Sequence, residues 1–190
     1  AENASPPRHR VTLLRASRLL LDAGGMFGVI PRVVWERFTS PSEKHQLELS
    51  HNCLVLEPLD DAGDVSGRPI LIESGSGDKL DPKMTGIFGL DGRTAETEAR
   101  NAGFEPESFG STVVSHLHFD HAGGLTRRVR GGERPDWEAK PGEASGDEPR
   151  VRFSFPDAQL IVQRREWEDA LANNAVMTKT YYRDHLLPYA

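Results

Sequence analysis

Within six positions the chain places three histidines and an aspartate: His116, His118, Asp120 and His121, in the stretch SHLHFDHAGGL. On an extended segment side chains alternate between faces, so His116 and His118 project together, with Asp120 on the same side. His121 falls where the chain turns and can swing toward an adjacent point. The Ala-Gly-Gly that follows lets the backbone bend tightly into a helix without a Cβ clash. Neutral imidazole with carboxylate suits Zn²⁺, and also Mn²⁺ or Fe²⁺. Two such ions ~3.5–4 Å apart can share one hydroxide and polarise a carbonyl at the same time. Histidines at these offsets, after a β-rich apolar run, read as metal ligands rather than as ordinary surface or core histidines.

The elements around this cluster must hold it at the edge of a core. STVVSHLHFDH reads as a strand leaving the core with the ligands at its C-terminal end. Upstream, RVTLLRASRLLLDAG reads as strand, turn, strand, ending at Asp22 and Gly24. GGMFGVIPRVVWERF is expected to be a glycine-rich apolar loop, then a short run broken at Pro31. QLELSHNCLVLEP alternates as a strand with Leu49, Cys53 and Val55 inward. DDAGDVSG reads as a hairpin loop, and PILIESGSGDKL as a buried strand running into a glycine turn. GRTAETEARNAGFEPESFG predicts a helix ended near Gly103. Residues 131–150, rich in Gly, Pro and acids, are expected to form a mobile surface insertion. AQLIVQ then reads as a strand, and RREWEDALANN as a helix with Trp167 and Leu171 on one face. Strands alternating with helices predict one α/β layered domain over residues 1–190.

Composition narrows the function classes. Acids outnumber Lys and Arg by 29 to 23, which argues against a dedicated nucleic-acid binder. No apolar run approaches the roughly 20 residues of a membrane span. The single Cys53 has no internal disulfide partner. The N-terminal AENASPPRHR has no signal-peptide core, so a cytoplasmic location is expected.

His116 to His121 also match the HxHxDH motif of the metallo-β-lactamase superfamily. LLDAGGMFGVIPRVVWERF, ILIESGSGDKL, SHLHFDHAGGLT, FPDAQLIVQRREWEDA and KTYYRD resemble, in order, the N-terminal half of quorum-quenching N-acyl-homoserine lactone lactonases. The resemblance covers most of residues 11–185 apart from 131–150. It implies an αββα sandwich with the metal site at one edge of its sheets. His116 and His118 would bind a first metal ion, and Asp120 and His121 a second. Asp120 would also be catalytic, orienting the hydroxide that attacks the carbonyl. Met26 and Phe27 would line the entrance and contact an acyl chain.

Two departures matter. Where such enzymes usually carry Asp after the strand, this chain has Glu73. A carboxylate there is expected to steady a ligand histidine, though a simple strand-end residue is the alternative reading. Secondly, a two-metal site of this kind takes seven ligands and only four are found. The third His, bridging Asp and last His would follow the KTYYRD-like segment, but the chain stops at Ala190. The domain is therefore expected to be C-terminally incomplete, with a longer chain, a partner chain or a homo-oligomer completing it. Half a sandwich would also expose a large apolar face.

Other residues take plainer readings. His185 is expected on a helix surface, and His9, His45 and His51 as structural or solvated. Cys53 reads as buried packing, and Gly75 and Gly77 as a tight turn beneath the site. Arg164, Arg165 and Glu166 read as a solvated helix face, Trp35 and Trp167 as packing residues, and Tyr181 and Tyr182 as core or cavity-mouth residues. The leading functional expectation is a metal-dependent hydrolase that opens a lactone or similar small ester with metal-bound hydroxide. A glyoxalase-II-like thioesterase is one alternative. The other is a non-catalytic fragment that needs a partner.

Overall fold

In the computed structural model, which describes residues 6–140, 148–173 and 180–190, apolar alternation along two long segments builds the main sheet. β1 (Arg8–Asp22) and β2 (Gln46–Leu59) pair antiparallel over almost their whole lengths. The expected turn within residues 10–24 is absent. Its place is taken by a register shift between Arg15 and Ser17, so one strand absorbs an extra residue without reversing. β3 (Ile70–Ile72) joins β2 antiparallel, and β4 (Ser111–Val113) and β8 (Gln159–Ile161) add in parallel, giving the order β1-β2-β3-β4-β8. A second sheet of β5 (Thr126–Arg128), β6 (Trp137–Glu138) and β7 (Arg150–Phe153) runs in the order β5-β7-β6.

Helices fill the crossovers. α1 (Ala23–Phe27) and α2 (Arg32–Trp35) follow β1, α3 (Pro82–Ile87) and α4 (Ala95–Asn101) follow β3, and α5 (Phe119–Ala122) follows β4. α6 (Arg164–Ala172) and α7 (Arg183–Leu186) come last. The expected GGMFGVIP loop begins as a helical turn because the Asp22 side chain accepts a hydrogen bond from Gly25 N–H at 2.7 Å. The expected insertion is likewise part sheet, since Trp137 and Glu138 pair with Val151 and Arg150. Residues 141–147 of that segment lie outside the described residues.

One face of the five-stranded sheet carries the core. Leu14, Ala16, Cys53, Val55 and Leu71 pack with Ala95 and Ala99 of α4 and with Phe109 and Phe155. On the opposite face Leu13, Leu54, Ile72, Val113 and Ile161 fall in one row across all five strands. Leu13 is 51% exposed and Ile161 45%, so this aliphatic row stays half in water among the described residues. No helix of the described residues is long and apolar enough to cross a membrane.

Beneath the ends of β3 and β4 two stretches of main chain touch directly. A Cβ added at Gly124 would sit 2.0 Å from Ser74 O, and one at Gly123 2.2 Å from Ser76 O. The loop after β3 turns through left-handed Gly75 and Gly77, at φ +68° and +67°. Gly124 N–H donates to Gly75 O at 2.9 Å, and Ser74 donates to His121 O through both its N–H (3.0 Å) and its hydroxyl (2.7 Å). Gly124→Ala therefore forces two backbones apart and should cost about 3 kcal/mol, the upper end of ordinary overpacking. Gly131→Ala, which meets nothing within 4 Å, should change stability by less than about 0.5 kcal/mol. Urea unfolding midpoints of the two variants check the contrast.

Candidate metal centre

β3 and β4 run parallel and end side by side, and such carboxyl-terminal strand ends are where open α/β sheets place their sites. Glu73 leaves the first strand, while Ser115 to His118 follow the second as irregular chain until α5 begins. The fold brings three of the candidate ligands into ring contact. The His116 ring centre lies 4.5 Å from that of His118 and 4.0 Å from that of His121. Asp120 Oδ2 is 3.5 Å from His121 Nε2. All four side chains are half-buried.

Glu73 bridges the two strand ends. Its Oε2 lies 3.0 Å from His121 Nδ1, and its Oε1 accepts from Ser115 N–H at 2.9 Å. The residue sits in the left-handed region at φ +65°, a conformation that costs a non-glycine residue about 1 kcal/mol. Its two carboxylate contacts oppose that strain. Burial alone would push the Glu73 carboxyl up, but hydrogen bonds from His121 and Ser115 outweigh it and bring the pKa below the ordinary value. The hydrogen bond to Glu73 conversely raises His121, against a smaller loss from burial. His116 is lowered, chiefly by burial and then by the neighbouring His121 and His118.

Imidazole and carboxylate groups of this kind fit a divalent cation in type. Their placement gives neighbouring pairs rather than a cage. Among the described residues no group of three His, Cys, Asp or Glu side chains is arranged to hold an ion.

A cavity of about 310 Å³ opens against Glu73, Asp120 and His121. Leu19, Leu21, Met26 and Leu49 form its apolar wall. Met26 thus borders the candidate centre, whereas Phe27 is not among the lining residues and stacks on Trp35 with ring centres 4.8 Å apart. Cys53 also borders the cavity, but burial pushes its thiol up to about 12, so it is no nucleophile.

His51 takes the structural one of its two readings, while other side chains depart from theirs. His51 is buried in the cavity wall beside Asp120 and His121, with Nε2 3.3 Å from Ser76 Oγ. His185 is not on a helix surface: it is buried in α7, stacked on Tyr182 at 5.2 Å, and burial holds its pKa well below the usual range. Glu166 is no solvated group, since its Oε1 accepts from Leu117 N–H at 2.8 Å and from Tyr181 OH at 3.2 Å. Of the expected apolar pair on α6, Trp167 packs in the core while Leu171 is 40% exposed. Lys79, which sequence reasoning missed, is fully buried, and its ammonium donates to the carbonyls of Gly123 and Thr126. Burial lowers its pKa to about 8. No periodicity or motif marks a lysine for this role.

No family model and no curated protein matches the chain. Solved structures do. A probable metal-dependent hydrolase from Staphylococcus aureus is 23% identical with a TM-score of 0.73, over 93% of this chain and 55% of that one. A hydrolase of the beta-lactamase superfamily is 18% identical with a TM-score of 0.53, over 90% and 48%. A dizinc quorum-quenching lactonase is 16% identical with a TM-score of 0.54, over 90% and 49%. This is the metallo-β-lactamase fold. The chain spans about half the length of these structures, and the two sheets and the helices above are what it has of that fold.

The Glu73–His121 pair sets a pH window for the metal-free protein. A lowered Glu73 contributes stability above its ordinary value of 4.5 and loses it as pH falls through the lowered pKa. A raised His121 contributes below its ordinary 6.5 and loses it as pH rises through the raised pKa. Both operate together between 4.5 and 6.5. The stability excess of the parent chain over Glu73→Gln should peak in that window and shrink on both sides. Urea midpoints measured against pH in chelator check this, and a flat difference would contradict it.

Proposed function

We propose that this chain carries the metal-ligating part of a metal-dependent hydrolase that opens a small lactone or ester with an apolar acyl portion. The observation that supports it is the placement of Asp120 and His121 on the edge of a cavity walled by Leu19, Leu21, Met26 and Leu49. On this reading His116 and His118 would hold one divalent ion and Asp120 and His121 a second, with zinc the leading candidate and Mn²⁺ or Fe²⁺ also suited. A divalent ion supplies Lewis-acid polarisation of a carbonyl and a lowered pKa for water.

The chain's own residues then have separable tasks. Glu73 orients the His121 ring through Nδ1, which leaves Nε2 toward Asp120. Asp120 presents a carboxylate to the cavity, where it can orient a water or accept its proton. The leucines and Met26 exclude water and take the acyl group. A thioesterase acting on a glutathione-type carboxylate is less well supported, because the described residues lining the cavity include no Lys or Arg.

Elemental analysis of the purified chain, paired with ring opening of an N-acyl homoserine lactone followed by proton release, tests the proposal. Bound metal and turnover are expected. Both should fall in His118→Ala and Asp120→Asn by more than the roughly 10–100-fold that losing a merely supporting residue costs. A chain that takes up no divalent metal, or hydrolysis indifferent to both substitutions, would sink the reading.

A further inference from the structure

Val114 N–H still donates to Ile161 O of β8 at 3.1 Å, but from Ser115 on the ligand segment is irregular and belongs to no strand, so its main-chain donors need other partners. Those of Ser115, Leu117 and Phe119 all find acceptors, and none comes from a neighbouring strand. Ser115 N–H donates to Glu73 Oε1 at 2.9 Å, Leu117 N–H to Glu166 Oε1 at 2.8 Å, and Phe119 N–H to Thr180 O at 2.8 Å. Leu117 is the residue between His116 and His118, and its side chain is wholly buried. The same Glu166 oxygen accepts from Tyr181 OH at 3.2 Å, and the Tyr181 ring meets the His118 ring edge-on at 5.3 Å.

We propose that Glu166 is a positioning residue of the metal centre, its carboxylate standing in for an absent neighbouring strand so that His116 and His118 are held side by side. This rests on the functional reading above. Glu166 touches no reacting atom; it acts through the Leu117 main chain and, by way of Tyr181, on the packing of His118. Its position in the first turn of α6 ties that helix to the ligand segment 49 residues earlier. Loss of the acceptor leaves the Leu117 N–H without a partner and frees the segment to twist, which turns the two imidazoles apart. Charge is secondary to geometry here, because a glutamine carbonyl oxygen can accept the same two hydrogen bonds.

The test uses the whole chain in two measurements. In metal-free protein, amide exchange read by NMR should accelerate at Leu117 by at least about tenfold in Glu166→Ala, the size expected for a lost hydrogen bond to a charged acceptor. Ser115, held by Glu73, should exchange as before, and Glu166→Gln should restore slow exchange at Leu117. In Co²⁺ titrations followed by d–d absorption, Glu166→Ala should weaken binding by about 10–100-fold and change the spectrum, while Glu166→Gln stays near the parent. Leu14→Ala, a core substitution that lowers stability without touching the segment, should keep the parent affinity. Unchanged exchange at Leu117 would overturn the proposal. So would equal losses of Co²⁺ affinity in Glu166→Ala and Leu14→Ala. If the parent chain takes up no Co²⁺, the metal reading falls by itself, and the role of Glu166 in a metal centre falls with it. The exchange data then still decide whether Glu166 holds the segment.

Discussion

The candidate centre depends on a close approach of two stretches of main chain. Ser74 to Gly77 and Gly123 to Gly124 lie main chain against main chain, at separations that a Cβ on Gly77, Gly123 or Gly124 would destroy. This approach brings the end of β3 against the turn that follows α5, and so sets Glu73 beside His121. Two hydrogen bonds from Ser74 to His121 O and one from Gly124 N–H to Gly75 O then fix the sliding register of the two stretches. Glycine is required for steric room on both sides, and for positive φ at Gly75 and Gly77. The placement of His121 beside Glu73 is downstream of this contact.

Around it, three charged side chains are committed to the main chain rather than to one another. Glu73 takes Ser115 N–H, Glu166 takes Leu117 N–H, and Lys79 gives protons to the carbonyls of Gly123 and Thr126. Short strands explain the need. β3 and β4 are three residues each, so the functional loops start early and their donors and acceptors lie beyond the reach of the sheet ladder. Burying an ammonium such as that of Lys79 is costly unless its hydrogen bonds are made. Here two carbonyls are met directly, and Asp184 and Asp78 supply opposing charge.

The cluster of His116, His118, Asp120 and His121 stood out because its signal is local, four strong donors within six residues, and the fold does bring the three histidine rings together. Strands and the main helices were legible for the same reason, since alternation and capping act over a few residues. What escaped notice is what tertiary contact decides. The strand through Ala16 continues where a turn was expected, because pairing with β2 over both halves outweighs one irregular residue. Glu166 sits in a run of charged residues typical of a solvated face, and only the return of the ligand segment against α6 gives it a partner. His185 looked like a surface residue for want of any apolar pattern, yet α7 folds it into the interior beside Tyr182. The aliphatic row from Leu13 to Ile161 is the converse case. Its alternation shows a two-sided apolar sheet, and the fold covers one side only.

The Glu73–His121 contact also settles which nitrogen of His121 is available. When Nδ1–H is donated to Glu73 Oε2, Nε2 is the atom left to face Asp120, 3.5 Å from its carboxylate. An aspartate in place of Glu73 would be one methylene shorter and would approach the imidazole from a different angle. Glu73 combines a left-handed backbone with a carboxylate that spans both Ser115 N–H and the His121 ring. A protonated His121 gains from Glu73 and a deprotonated one keeps the hydrogen bond but loses the ion pair, so the same contact that orients the ring also favours its proton. Any cation that binds at Nε2 must displace that proton, which makes occupancy of the site fall with acidity.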